Sequence, residues 1–250
     1  MERRGQCIAV VSGKGGTGKT SLAAGVGAAL ALSGSRVLCL DCDVGLRNLD
    51  LTLGLSDRTL MDFSDVARGR CSLDMAAVEH PKVPGLFLLT APVRMRGSPV
   101  TAEQMAQLLR EVRTRYDFCL LDAPAGLGYG FQLATCDADR CIVVTTADAT
   151  SLRDAQHTVV ELARFPAGTL HLVVNRVRKK LLRHMHATID DAIDRAGLPL
   201  LGVVPEDDAL PLCVNQGLPL LLAESQSAAI AYRNIAKRLR GERVPLLRIR

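Results

Sequence analysis

Gly13-Lys14-Gly15-Gly16-Thr17-Gly18-Lys19-Thr20 packs glycines, two lysines and two threonines into one short run. In this order they suit the chemistry of phosphate. Glycines let successive backbone N–H groups turn inward around an anion, and a helix beginning at the end of the run adds the partial positive charge of its N-terminus. Lys19 is placed to reach β- and γ-phosphates, the Thr20 hydroxyl to coordinate a magnesium ion, and Ser21 follows on the same first turn. A glycine-rich turn with a chance Lys-Thr is the plain alternative. The apolar strand before the run and the Ala- and Leu-rich helix Thr20–Leu32 after it supply the context of a phosphate loop instead.

A magnesium-nucleotide site also needs carboxylates at the ends of neighbouring strands. Phe118-Cys119-Leu120-Leu121-Asp122 is an apolar run ending in an acid, and Val37-Leu38-Cys39-Leu40-Asp41-Cys42-Asp43 is a second. A lone acid after a strand is usually a turn residue. Two such ends downstream of a phosphate loop make Asp122 and Asp43, with Thr20, the candidate metal set.

These side chains must be positioned by the rest of the chain. Strands are expected at Cys7–Ser12, Val37–Asp41, Leu86–Ala91, Phe118–Asp122, Cys141–Thr145, Leu170–Asn175 and Leu201–Val204. Several are apolar at nearly every position, as strands covered on both faces are. Between them, Thr101-Ala102-Glu103-Gln104 is a capping box opening a helix through Met105, Leu108, Leu109 and Val112. Ser151-Leu152-Arg153-Asp154 opens another helix in the same way. Leu181–Ala196 reads as a third, stopped by Gly197 and Pro199. Arg68–Gly85 and Val93–Pro99 read as loops. The alternation predicts an α/β fold: a three-layer, doubly wound, mainly parallel sheet of the P-loop NTPase kind, in a single domain spanning residues 1–250.

Composition narrows the function classes. Of 250 residues 48% are hydrophobic and 23% charged, as in ordinary globular proteins, but aromatics are 3% and Trp is absent. Base stacking on aromatic platforms is therefore not expected. The net charge of +5 is concentrated in the basic tail 233–250, where Arg233, Lys237, Arg238, Arg240, Arg243, Arg248 and Arg250 face one acid, Glu242. A solvated terminal helix, a contact with anionic lipid and a contact with DNA phosphates are the readings of that cluster. The N-terminus lacks the apolar stretch of a signal peptide, and no run reaches the ~18 apolar residues of a membrane span, so a cytoplasmic protein is expected. Eight cysteines are present. Cys7, Cys39, Cys119 and Cys141 fall in strand-like runs, where Cys acts as a small hydrophobe. Cys39-Leu40-Asp41-Cys42 spells C-x-x-C but straddles a strand end, with no second pair at zinc spacing.

Lys14, early in the loop, makes Lys14-Gly15-Gly16-Thr17-Gly18-Lys19-Thr20 resemble the deviant phosphate loop of the MinD/ParA family of ATPases. Asp41-Cys42-Asp43-Val44-Gly45-Leu46-Arg47-Asn48-Leu49-Asp50 resembles the branch of that family that determines the bacterial septum site. Asp122-Ala123-Pro124-Ala125-Gly126, Val203-Val204-Pro205-Glu206-Asp207 and Asn215-Gln216-Gly217 are similar to the family's later motifs. The likeness runs from Cys7 to about Pro245.

The resemblance implies an ATPase using ATP and Mg²⁺ that dimerises with nucleotide and regulates septum placement. Lys14, Lys19 and Asp43 would be catalytic: Lys19 on the phosphates of its own subunit, Lys14 reaching across to those of a second copy, Asp43 positioning the attacking water. Asp122 would hold the magnesium shell through water. Asn175 and the Pro205–Asp207 segment would contact the adenine, with Arg176 and Glu206 in the binding set. The implied partners are a second copy of the chain, a MinC-like septum inhibitor, an activator linked to MinE or DivIVA, and weakly an anionic membrane, giving ATP-dependent association with the inner face of the plasma membrane.

Family members of this branch usually finish with an amphipathic membrane helix. Here Val244-Pro245-Leu246-Leu247-Arg248-Ile249-Arg250 stands about where it would begin, too short for a helix of useful buried area. A ParA-type DNA-segregation ATPase or a flagellar-number regulator is the alternative, and Arg47-Asn48-Leu49-Asp50 favours the septum branch over both. Iron–sulfur relatives on the same fold need cysteines near Gly126–Phe131 or a C-terminal C-x-x-C, and neither is present. A scaffold that binds ATP without turnover is disfavoured by the retention of Asp43.

Overall fold

In a computed structural model the chain is described over residues 5–95, 97–184, 188–223 and 227–247. Its strands are β1 Gln6–Val11, β2 Val37–Asp41, β3 Val78–Glu79, β4 Leu86–Leu89, β5 Phe118–Asp122, β6 Arg140–Thr145, β7 Leu170–Val177 and β8 Leu200–Pro205. They form one sheet in the order β3-β4-β2-β5-β1-β6-β7-β8, parallel throughout except for β3 against β4.

The continuous apolar runs are explained by burial on both faces. In β1, Cys7, Ala9 and Val11 enter one core and Ile8 and Val10 the other. Helices Lys19–Leu32 and Ser227–Leu239 cover one face through Leu22, Leu30, Tyr232 and Ile235. Helices Ala102–Arg115, Ala149–Glu161 and Ile189–Ala196 cover the other through Met105, Leu109, Leu152 and Ala192. The result is the expected three-layer α/β fold. The two helices of the first layer approach closely because Gly25 has no side chain: a Cβ there would lie 2.3 Å from the Tyr232 ring.

Several expectations need correction. The stretch Arg68–Gly85 holds a short helix, Leu73–Ala76, and β3. Elements this brief carry too few residues for a period to register. Helix Ala149–Glu161 begins earlier than Ser151 suggested. Asp148 is its cap, accepting the Ser151 N–H at 3.0 Å. The single helix expected over Leu181–Ala196 is two, Lys179–His184 and Ile189–Ala196. Thr188 starts the second with a capping box, accepting the Asp191 N–H while the Asp191 carboxylate accepts the Thr188 N–H. Such a box satisfies the free N–H groups of a new helix end, so it breaks an apolar periodicity that otherwise reads as continuous. β7 runs two residues beyond Asn175, which places Arg176 within the C-terminal end of the strand.

Cys39 and Cys42 belong to opposite cores, one on each side of the sheet, and burial pushes the Cys39 thiol up to about 12. Among the described residues no cluster of His, Cys, Asp and Glu could hold a metal ion, and no helix is long and apolar enough to cross a membrane. Helix Ser227–Leu239 carries Arg233, Lys237 and Arg238 but also buries Tyr232, Ile235 and Leu239, so it belongs to the core layer. Arg238 donates to the carbonyls of Leu201, Val244 and Pro245, holding the first part of the tail to the body. Arg248, Ile249 and Arg250 lie outside the described residues.

Candidate active site

β1, β2 and β5 deliver their C-terminal ends to one place: Val10 lies beside Asp122, and Asp122 beside Asp41. In a parallel α/β sheet this edge, flanking the central strand, is where ligands are held. The loop leaving β1 turns through Gly16 at φ 79° and Gly18 at φ 87°, both in the left-handed region that favours glycine. Gly18 has a second reason to be glycine, because a Cβ would sit 2.3 Å from Asn175 Nδ2.

The loop's side chains are organised from below. The Ser12 hydroxyl donates to the Lys14 carbonyl at 2.7 Å and accepts from Lys19 Nζ at 2.9 Å. Lys19 is buried, and burial lowers its pKa against the opposing pull of Asp122 and Asp43. Lys14 is turned the other way. Its side chain is 47% exposed, and Nζ donates to Thr150 Oγ1 at 3.1 Å and lies 3.8 Å from Asp148. Burial raises the pKa of Asp148, but hydrogen bonds from Thr146, Thr150 and Ser151 outweigh it and hold the carboxylate well below its usual range.

Three carboxylates face this loop. Asp122 is 2% exposed and bonded by the Thr20 hydroxyl, yet its Oδ1 is buried with no hydrogen-bond partner. Burial, reinforced by repulsion from Asp41, pushes it up to about 8. Asp43 is only part-buried. Burial raises its pKa and Lys19 lowers it. Asp41 is fully buried and pushed up to about 6 by desolvation. Its two oxygens accept the Asp43 N–H at 2.8 Å and the Leu49 N–H at 3.2 Å. Asp41 therefore shapes the loop that presents Asp43.

The far wall comes from β7 and β8. Asn175 Nδ2 donates to the Thr17 carbonyl at 2.7 Å. Arg176 donates from Nη1 to the Gly16 carbonyl at 2.9 Å and forks Glu206 through Nε and Nη2 at 3.1 and 3.0 Å. Asp207 accepts from Ala209 N, Ser227 Oγ and Ala228 N, joining the starts of two helices. The carboxylates of Glu206 and Asp207 are thus engaged within the protein.

Between these walls lies a cavity of about 520 Å³. It is lined by Gly15, Gly16, Gly18, Lys19, Thr20, Ser21, Asp43, Asn175, Arg176, Pro205, Glu206 and Asp207. Four sequence-predicted residues stand off its surface. Gly13 packs against Asp154 and Thr158, and Lys14 reaches toward Thr150. Thr17 is buried with an unbonded Oγ1, and Asp122 lies behind Thr20. The sequence reading missed Ser12, Asp41, Asp148, Leu210, Pro211 and Tyr232. Of these only Asp41, at the end of β2 and two residues from Asp43, carried a signal that could have been used. The glycine cradle, the buried ammonium and the unbonded Asp122 oxygen fit a magnesium-bound polyphosphate.

Asp122 has a consequence for stability. Its pKa in the folded chain, about 8, stands above the ordinary carboxylate value, so between those limits the folded state holds a proton that the unfolded state has lost. Stability of the nucleotide-free protein should therefore fall as pH rises from about 4 to about 8. Asp122→Asn is expected to flatten that slope in urea titrations at successive pH values. A slope unchanged by the substitution would contradict the assignment.

The CobQ/CobB/MinD/ParA nucleotide-binding domain family matches residues 8–220. A relative from Synechocystis, named septum site-determining protein MinD, is 38% identical over 242 residues, covering 96% of this chain and 91% of its own. The MinC:MinD cell division complex of Aquifex aeolicus contains a chain that is 34% identical, with a TM-score of 0.89 over 97% of this chain and 98% of that one. The septum site-determining protein MinD of Pyrococcus horikoshii, solved with Mg-ADP, is 26% identical with a TM-score of 0.79, covering 94% and 95%. By family match, identity over nearly its whole length and shared architecture, the chain belongs to the CobQ/CobB/MinD/ParA nucleotide-binding family, alongside the MinD cell-division proteins.

Proposed function

We propose that this chain is an ATP-hydrolysing dimerisation switch that acts in placing the bacterial division septum. The observation that carries the reading is the division of labour between its lysines. Lys19 is buried in the cradle, whereas Lys14 is partly exposed, does not line the cleft and reaches toward Thr150. Exchanging its surface partners Thr150 and Asp148 would let Lys14 meet the phosphates of a second copy. The Synechocystis relative and the MinC:MinD complex support the septum role and a MinC-like partner.

In this mechanism the loop N–H groups and Lys19 bind the phosphates. Thr20, Asp43 and Asp122 are the residues to hold magnesium, which when bound supplies charge neutralisation of the phosphate oxygens. Asp43 holds the attacking water. Lys14 of a second copy adds a preorganised cation where charge develops on the transferred phosphoryl group. The Mg-ADP complex of the Pyrococcus relative supports that cofactor pair.

Dimerisation also presents two basic tails to one surface. Each Lys or Arg near an anionic bilayer contributes about 1 kcal/mol, and pairing two weak anchors raises apparent affinity by about a hundredfold. Sedimentation with anionic liposomes at low salt is expected in ATP and not in ADP, with neutral liposomes left unbound. Equal binding in ATP and ADP would overturn the switch, and binding to neutral lipid would remove the basic tail as its anchor.

A further inference from the structure

We infer that Arg176 is a positioning residue for the phosphate loop, aiming the Thr17 N–H into the anion cradle, and that its guanidinium does not read the nucleotide base. The inference rests on the nucleotide-binding reading above.

A trans peptide is planar, so the C=O of one residue and the N–H of the next point in opposite directions. A donor that holds a loop carbonyl therefore aims the following N–H away from itself. Arg176 does this to Gly16, at 2.9 Å, which directs the Thr17 N–H away from Arg176. The neighbouring Asn175 does it to Thr17, directing the Gly18 N–H. Ser12 does it to Lys14, directing the Gly15 N–H. Two of these three supports come from consecutive residues at the end of β7, about 160 positions from the loop they shape.

Arg176 is itself held. Nε and Nη2 fork Glu206, and Arg178 reaches the same carboxylate at 3.5 Å. Its backbone sits at φ 55°, in the left-handed region that a residue with a side chain seldom occupies. Such a conformation persists where the surroundings fix it, and it is a pointer to function. With Nη1 on the loop and Nε and Nη2 on Glu206, every nitrogen of the guanidinium has a partner within the protein. A lysine could reach only one of these partners at a time, since it offers a point charge in place of a planar fork.

The test is calorimetric titration of the full chain, nucleotide-free, with ADP, GDP and inorganic pyrophosphate. Arg176→Gln is expected to weaken ADP and pyrophosphate alike, by about tenfold, the scale of a lost charge-assisted hydrogen bond. The ADP-to-GDP preference should stay as in the unsubstituted chain. Arg176→Lys should recover part of the loss, and Glu206→Gln should show a smaller loss of the same kind. Hydrogen exchange at the Thr17 amide should also quicken in Arg176→Gln without any ligand. Should that variant fail to fold, Glu206→Gln carries the same comparison. A loss confined to ADP, or a changed ADP-to-GDP preference, would mean that Arg176 reads the base and would overturn the inference, as would unchanged binding. If the unsubstituted chain bound neither ADP nor pyrophosphate, the nucleotide reading itself would fall.

Discussion

Replacing Lys19 by Ala is expected to weaken Mg-ATP binding by at least about a hundredfold, while replacing Lys14 by Ala leaves binding within about threefold and lowers turnover by about a hundredfold or more. The two residues are chemically identical and five positions apart, so the contrast must come from placement. Lys19 is buried, bonded to Ser12, and close enough to Asp122 and Asp43 for both to act on its titration. Removing it takes away the cation of the cradle. It also strips Asp122 of a positive neighbour, so that carboxyl rises further and the magnesium side of the site is harder to ionise. Lys14 does not line the cleft of its own subunit and rests on Thr150 and Asp148 at the surface. Its loss should appear only when two copies meet around nucleotide. A hundredfold in rate corresponds to about 2.7 kcal/mol of transition-state stabilisation, a size that one preorganised cation can supply. Calorimetric titration with ATP, paired with phosphate-release assays, separates the effects. Equal loss of binding in both variants would contradict the division of labour.

Asp43→Ala should bind ATP, lose hydrolysis by about a thousandfold, and accumulate as a dimer. A group that holds the attacking water contributes about 10²–10⁴-fold, so its removal stops turnover without disturbing the phosphate cradle. Asp43 suits that role because it is only part-buried and lines the cavity, whereas Asp41 and Asp122 are buried. Its loop is set by Asp41, which binds backbone N–H groups of residues 43 and 49 and not the Asp43 carboxylate, so truncating the side chain leaves the loop's supports in place. Size-exclusion chromatography in saturating Mg-ATP should give a dimer for Asp43→Ala and a monomer in ADP. A variant that binds ATP and stays monomeric would sink the proposed switch.

How much of this was legible in the sequence depends on the range over which each feature is built. The phosphate loop could be read directly, because cradle, ammonium and hydroxyl are neighbours in sequence and the glycines have few other uses. The strands ending at Asp41 and Asp122 were legible because burial on both faces demands apolar residues at nearly every position. The break between Lys179–His184 and Ile189–Ala196 was not, since apolar spacing continues across it and the decisive event is a local capping box at Thr188. The start of helix Ala149–Glu161 was misplaced for a related reason. Ser151 and Asp148 can both cap, and only the backbone geometry selects Asp148.

By itself the sequence determined the α/β class, the phosphate loop, the acids that accompany it and the family resemblance. Each is written in contiguous residues whose chemistry is the same wherever the chain goes. Tertiary structure alone decided how those residues are held. It brought Asn175 and Arg176 to the carbonyls of Thr17 and Gly16, tied Glu206 to Arg176, set Asp41 beside Asp122 across two strands, and turned Lys14 outward toward Asp148. These are contacts between residues that are distant or on different strands. They arise from strand order and register, and no local pattern of side chains encodes which carbonyl a distant donor will meet.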